Sequence, residues 1–172
     1  MSRIALAVSV LVLAVGCQSV PSDAPRASAT LQPTKGSTVR GSASFVQIGD
    51  KVRVTANVSG LRPNGEFGFH IHEAGDCSSG DGMSTKGHFN PYGKQHAHAG
   101  TPERHAGDLP SLKSDAGGNA SVTADLDVIT VAPGPASVVG RGLIVHAQAD
   151  DFKTQPTGNA GARSACAVIQ RD

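Results

Sequence analysis

Between residues 52 and 58 the chain alternates: Val52, Val54, Ala56 and Val58 are separated by Arg53, Thr55 and Asn57. A period of two sends one set to each face of a strand, so this segment predicts a strand with one buried and one wet face. Val39–Ile48 before it is also strand-like, and Gly49-Asp50 turns the chain between the two. Gly60–Gly65, with Pro63 and Asn64, reads as a further turn, and Glu66–Glu73 as a third strand. Ser114–Asn119 is again a turn, and Ala120–Asp127 alternates once more. Val138–Ala147 is strongly apolar and predicts another strand, with Ala165–Gln170 as a short last one. No helical period and no internal repeat is sustained. Many short strands joined by Gly-rich turns predict an all-β sandwich or barrel.

Two stretches break the pattern. Residues 74–112 have no sustained period and are rich in Gly, Pro, Ser, Asp and His, and residues 150–162 form a second loop. A loop as long as the first is unusual in a compact domain unless something orders it or it serves function. The strand just before it ends Gly68-Phe69-His70-Ile71-His72-Glu73. There the period of two puts His70 and His72 on one face and sends Ile71 to the core. Two imidazoles so placed can grip one metal ion from a rigid support.

Composition agrees with the pattern. The 172 residues suit one domain with a real core, and 21 Gly and 10 Pro fit turns better than a helical bundle. Residues 1–16 read as a secretory signal: Arg3 is the basic start, and Ile4–Val15 is an apolar run broken only by Ser9. The run is too short to span a bilayer comfortably. It ends Ala14-Val15-Gly16-Cys17, which resembles a bacterial lipoprotein signal, although Ala14 stands where Leu is usual. That resemblance implies lipid on Cys17, and membrane contact only through that lipid. Removing Arg3 with the signal leaves 14 basic and 14 acidic residues, so no basic face argues for nucleic acid. Residues 17–36 are rich in Pro, Ser, Ala and Thr and read as a flexible tether. The folded domain is then expected over 37–172.

The long loop carries His88, His96, His105 and Asp108. Three imidazoles and a carboxylate are what a tetrahedral Zn²⁺ site takes, and four protein ligands make it structural. Such a site folds a loop that has no core of its own. His70, His72 and His146 supply further nitrogen from two strands, and an all-imidazole, near-planar set suits copper. His98 lies two beyond His96 and reads as a solvated side chain. Glu73 reads as a carboxylate capping loop amides, Asp76 and Asp81 as turn formers, and Lys86, Lys94 and Lys113 as solvated surface cations.

Taken together, Gly68–Glu73, Gly87-His88-Phe89-Asn90-Pro91, Arg104-His105-Ala106-Gly107-Asp108-Leu109, Gly140–His146 and Gly158-Asn159-Ala160-Gly161-Ala162-Arg163 closely resemble copper–zinc superoxide dismutase. The resemblance runs from about Val39 to Ile169, with the motifs in family order. It implies a Greek-key β-barrel of about eight antiparallel strands with two long functional loops. It implies one copper per subunit on His70, His72, His88 and His146, and one zinc per subunit on His88, His96, His105 and Asp108. His88 would bridge the two as an imidazolate. Asp150 matches the carboxylate that ties a copper-ligand ring to a zinc-ligand ring. Arg163 matches the arginine that receives the anion beside copper, and Cys77 and Cys166 match the family's disulfide. The implied activity is dismutation of superoxide to O₂ and H₂O₂ at the cell envelope, by alternate reduction and reoxidation of copper.

Departures from the family qualify this. The 150–163 loop is shorter than in the best-known cytosolic eukaryotic members and has no glutamate pair, so its steering charge pattern does not carry over. Cys77 stands almost against the His-x-His strand, as in bacterial periplasmic members, among which dimer contacts differ. A homodimer is therefore left open. Two other functions compete with the enzyme: a metal store on the same barrel, and a structural envelope domain. The complete ligand set plus Arg163 favours the enzyme, because a store has no need for a cation beside an open copper face.

Overall fold

A computed structural model describes residues 23–172. The expected signal over 1–16 and Cys17 lie outside the described residues. Ten strands follow in order: β1 Arg26–Pro33, β2 Arg40–Ile48, β3 Lys51–Ser59, β4 Glu66–Phe67, β5 Phe69–His72, β6 Leu112–Lys113, β7 Ala120–Leu126, β8 Gly142–His146, β9 Arg163–Val168 and β10 Gln170–Arg171. The one helical segment among the described residues is a single 3₁₀ turn, Met83–Thr85. Seven strands run β5-β8-β9-β1-β2-β3-β7 in one antiparallel curled sheet, with β10 also paired to β1. A short β4–β6 ladder stands apart. The all-β expectation holds.

The alternation in β3 survives folding: Val52, Val54, Ala56 and Val58 are buried while Lys51, Arg53 and Asn57 are exposed. They join Phe45, Phe69, Ile71, Leu112, Leu143, Val145 and Ile169 in one core. Burying one large apolar side chain contributes roughly 1.5–3 kcal/mol, so this cluster dominates the favourable side of folding.

Residues 17–36 are not a tether throughout. Arg26–Pro33 is an interior strand, paired to β2 on one side and to β9 and β10 on the other. Ala27, Ala29 and Leu31 face the core at a strict period of two. Two of the three are alanines, so the apolar signal was weak although its period was right. The domain therefore starts about ten residues earlier than expected. Val138–Ala147 is also not one strand: β8 begins only at Gly142, because a turn at Gly140 (φ 81°) occupies its first part.

Register sets the site. In the β5–β8 pair, Phe69 lies opposite Val145 and Ile71 opposite Leu143, all in the core. His70 lies opposite Ile144 on the other face, and His72 shares that face. The register slips between Val145 and His146, and His146 then pairs with Arg163 on β9. A slip of this kind re-aims a side chain. Here it puts a histidine next to an arginine at one end of the sheet.

Candidate metal centre

The long loop is laid along the free edge of β5 by backbone bonds. Glu73 N–H donates to Gly87 (2.9 Å), Phe89 N–H to Ile71 (2.8 Å) and Ile71 N–H to Gly107 (2.9 Å). Isolated bridges pair His72 with His88 and His70 with Asp108. Gly107 allows this approach, since a Cβ there would run into the Ile71 carbonyl. Cys77 and Cys166 are bonded, tying the start of the loop to β9 across 89 residues. The loop thus gains its order from β5, from the disulfide and from its own histidines.

The seven histidines divide sharply. His98 is exposed, edge-on to Phe152, and belongs to no cluster. The other six are buried and, with Asp108, form two groups that share His88: His70, His72, His88 and His146, and His88, His96, His105 and Asp108. Within each group one ligand atom per residue lies within 4.8 Å of all the others.

The first group fits a cation that binds nitrogen. Nδ1 of His70 and Nε2 of His72, His88 and His146 are all buried without a hydrogen-bond partner among the described residues. Four unpartnered ring nitrogens in one place are costly unless something accepts their lone pairs. The opposite nitrogen of each ring is held: His70 Nε2 by Asp150 Oδ2 (2.7 Å), His72 Nδ1 by the Lys86 carbonyl (2.8 Å), His88 Nδ1 by Asp108 Oδ1 (3.0 Å) and His146 Nδ1 by the Gly161 carbonyl (3.1 Å). Holding the far nitrogen fixes both ring and tautomer, as metal-binding histidines require. Burial lowers the basicity of all four rings, pushing His88 down to about 4 and His146 to about 3. Neutral rings keep the lone pairs that a metal needs.

The second group is built around one carboxylate. Asp108 Oδ2 accepts the backbone N–H groups of Ala97 (3.0 Å) and His105 (3.1 Å). Its Oδ1 then faces Nδ1 of His88, His96 and His105 at 3.0, 2.9 and 3.6 Å. The Nδ1 atoms of His88 and His105 lie 3.4 Å apart. Ligands about 2.0–2.1 Å from a tetrahedral ion sit roughly 3.3 Å from one another, so these spacings fit zinc. Burial would raise the Asp108 pKa, but hydrogen bonds from His105, His88 and His96 outweigh it and hold the carboxylate ionised. Burial would likewise lower His96, yet Asp108 and Asp150 together raise it to about 9. The two carboxylates therefore favour a positive charge at that ring.

His88 belongs to both groups through different atoms, Nε2 to the first and Nδ1 to the second. Asp150 links them a second time. Its Oδ2 meets His70, and its Oδ1 accepts from His96 Nε2 at 2.9 Å. Every predicted metal ligand lies in this cluster, Asp150 links its two halves, and Arg163 pairs with His146 beside it.

Arg163 is half-buried at the rim. Nη1 donates to the Gly82 carbonyl (2.5 Å) and Thr85 Oγ1 (2.8 Å), and Nη2 to the Lys86 carbonyl (2.5 Å). No sequence pattern points to these acceptors, since two of the three are backbone carbonyls and carry no residue signature. Asp76 and Asp81 form turns as expected, accepting Ser78 and Met83 N–H groups at 2.8 and 2.9 Å. Glu73 differs from expectation: instead of capping amides it accepts from Arg141 Nη1 (2.8 Å), whose guanidinium also stacks on Phe89.

Comparison with known proteins agrees with this geometry. The family model described as copper/zinc superoxide dismutase matches residues 39–169. "Superoxide dismutase [Cu-Zn] 2" of Aquifex aeolicus is 40% identical over 149 residues, covering 84% of this chain and 86% of that protein. "Superoxide dismutase [Cu-Zn]" of Paramecium bursaria Chlorella virus 1 is 39% identical over 137 residues, covering 76% of this chain and 72% of that one. The crystal structure of the clock protein EA4 superposes with a TM-score of 0.77 at 41% identity, covering 88% of this chain and 96% of its own. Six buried histidines in two groups and relatives near 40% identity lead to one assignment: the chain belongs to the copper–zinc superoxide dismutase family, and is an oxidoreductase with copper and zinc as cofactors.

Proposed function

We propose that His70, His72, His88 and His146 hold copper, that His88, His96, His105 and Asp108 hold zinc, and that the enzyme disposes of superoxide outside the cytoplasm. The observation that carries this is the set of four unpartnered ring nitrogens converging on one point. Bound copper supplies reversible one-electron transfer, so two superoxide anions and two protons become O₂ and H₂O₂ without two anions having to meet.

The residues divide the remaining work. Arg163 keeps its charge at any useful pH and binds the anion at the rim. His88 Nε2, facing the copper group, is the atom that takes up a proton and hands it to the reduced substrate. Its Nδ1, which faces Asp108, would be held by zinc and would keep the ring in one pose. Asp150 holds His70 and His96 in register. The core and loops exclude water from all but the rim, which strengthens the field of Arg163.

The cell-envelope location rests on two supports: the apolar leader ending in Cys17, and the Cys77–Cys166 bond, which suits an oxidising compartment. Among the described residues no helix is long and apolar enough to cross a membrane. The Gly16-Cys17 end of the leader supports membrane contact through lipid on Cys17. The test is superoxide decay by pulse radiolysis on copper- and zinc-loaded protein, with mass analysis of the mature N-terminus from cells. Catalysed decay that persists in excess EDTA, which silences free copper, and a lipid-modified Cys17 are expected. Decay that EDTA abolishes would favour a metal store, and an unmodified Cys17 would remove the anchor.

A further inference from the structure

The zinc-side loop raises a question about its backbone. His96 lies in a stretch with no regular secondary structure, and its main-chain N–H and C=O have no backbone partner among the described residues. Its ring is nevertheless buried and sits between two carboxylates. A ligand on such a segment must have its peptide held as well as its ring, or the ring swings with the chain.

The holder is one side chain on the other loop. Gln155 Oε1 accepts the His96 N–H at 2.8 Å, and Gln155 Nε2 donates to the His96 carbonyl at 2.8 Å. One primary amide thus pairs with both polar groups of one residue, as a neighbouring strand would. The amide orientation is fixed by this pairing, since its oxygen faces a donor and its nitrogen an acceptor. The segment before it presents the amide. Asp151 Oδ1 accepts the N–H groups of Lys153 (2.9 Å) and Thr154 (2.8 Å), and Thr154 Oγ1 donates to Asp151 Oδ2 (2.6 Å). This self-capped turn launches Gln155 toward residue 96. Phe152, inside the same turn, meets the His98 ring edge-on at 4.9 Å. At Gly158 (φ 66°) a Cβ would run into Asp150 Oδ1 and come within 2.6 Å of His96 Nε2. The 150–158 segment therefore grips residues 96–98 at several points.

We propose that Gln155 is a positioning residue for zinc: it clamps the His96 backbone so that Nδ1 stays aimed at the zinc group, in parallel with the grip of Asp150 on the ring. The proposal rests on His96 being a zinc ligand. The shortened 150–163 loop then has a task in this chain distinct from steering substrate, since it closes over the zinc side. Gln155 touches neither the copper set nor Arg163, so its loss acts on zinc retention and leaves copper in place.

The test uses the full chain loaded with both metals. Zinc transfer to a chromophoric chelator is timed for wild type, Gln155→Ala, Gln155→Glu and His96→Ala. Copper content and the thermal midpoint of each metal-free protein are read in parallel. Losing a hydrogen-bond partner of a ligand typically weakens metal binding by about 10- to 100-fold. Gln155 is exposed and competes with water, so Gln155→Ala should release zinc about tenfold faster, with copper content and the metal-free midpoint unchanged. Gln155→Glu keeps the acceptor for the His96 N–H but loses the donor, and should fall between the two. Release from Gln155→Ala at the wild-type rate overturns the proposal. So does parallel loss of zinc, copper and metal-free stability in both Gln155 variants, which marks a general loop collapse. If His96→Ala itself releases zinc at the wild-type rate, the zinc assignment beneath the proposal is wrong.

Discussion

His72 and Arg163 share one hydrogen-bond acceptor, the carbonyl oxygen of Lys86. A ring of the four-histidine group and the rim cation are therefore positioned by the same peptide group. That peptide belongs to a residue with φ 63° and ψ −147°, a region that essentially only glycine occupies without strain. Lys86→Gly should relieve that strain while keeping the carbonyl in place. We expect a gain of about 1 kcal/mol in metal-loaded stability, with activity retained, measured by chemical denaturation and superoxide decay. A destabilised variant would show that the Lys86 side chain, not its peptide, does the positioning.

Arg163→Ala should keep both metals and the disulfide but lose much of the activity. A preorganised cation at a reacting centre is typically worth about 10²-fold or somewhat more. Arg163→Lys should recover part of this, since charge returns without the fork that reaches Gly82, Thr85 and Lys86 together. Metal content and decay rates at several ionic strengths check it. A fully metallated Arg163→Ala enzyme as fast as wild type would remove the anion-binding role.

Asp108→Ala should weaken zinc binding and loosen residues 74–112, while copper still binds. The carboxylate is both a ligand candidate and the acceptor for the Ala97 and His105 amides, so its loss opens the site twice over. Hydrogen exchange in the loop should rise. Unchanged protection with full zinc occupancy would mean that Asp108 is not a ligand.

Reducing Cys77–Cys166 should cost roughly 4–5 kcal/mol in the chain-entropy view, given the 89-residue separation. The segment that supplies all three Arg163 acceptors starts five residues after Cys77. Activity should therefore fall before the barrel unfolds, read by comparing decay rate with far-ultraviolet dichroism along a reductant titration. Coincident loss of both would show that the bond secures only the fold.

Much of the site was legible because its ligands are chemically distinctive and spaced by simple rules. The period of two put His70 and His72 opposite Ile71, and the β5–β8 register realises that split. His88, His96, His105 and Asp108 stood out as three imidazoles and a carboxylate in a loop with no core. What escaped was carried by weak or backbone signals. In Arg26–Pro33 the buried positions are two alanines and a leucine, and flanking prolines suggested a linker. Yet Pro25 lies just before the strand and Pro33 is its last residue, where a missing N–H does least harm. In Val138–Ala147, apolarity reported burial rather than extension: Val138 is fully buried in a turn. The Gly82 and Lys86 carbonyls and the Gln155 clamp depend on loop paths that no local pattern encodes.

The proposed ligand sets put one ring, His88, between a copper and a zinc. Anomalous diffraction at the copper and zinc absorption edges, from crystals of the metal-loaded protein, tests it most directly. Copper is expected against His70, His72, His88 Nε2 and His146, and zinc against His88 Nδ1, His96, His105 and Asp108. A single metal position, or two positions without His88 between them, would contradict it.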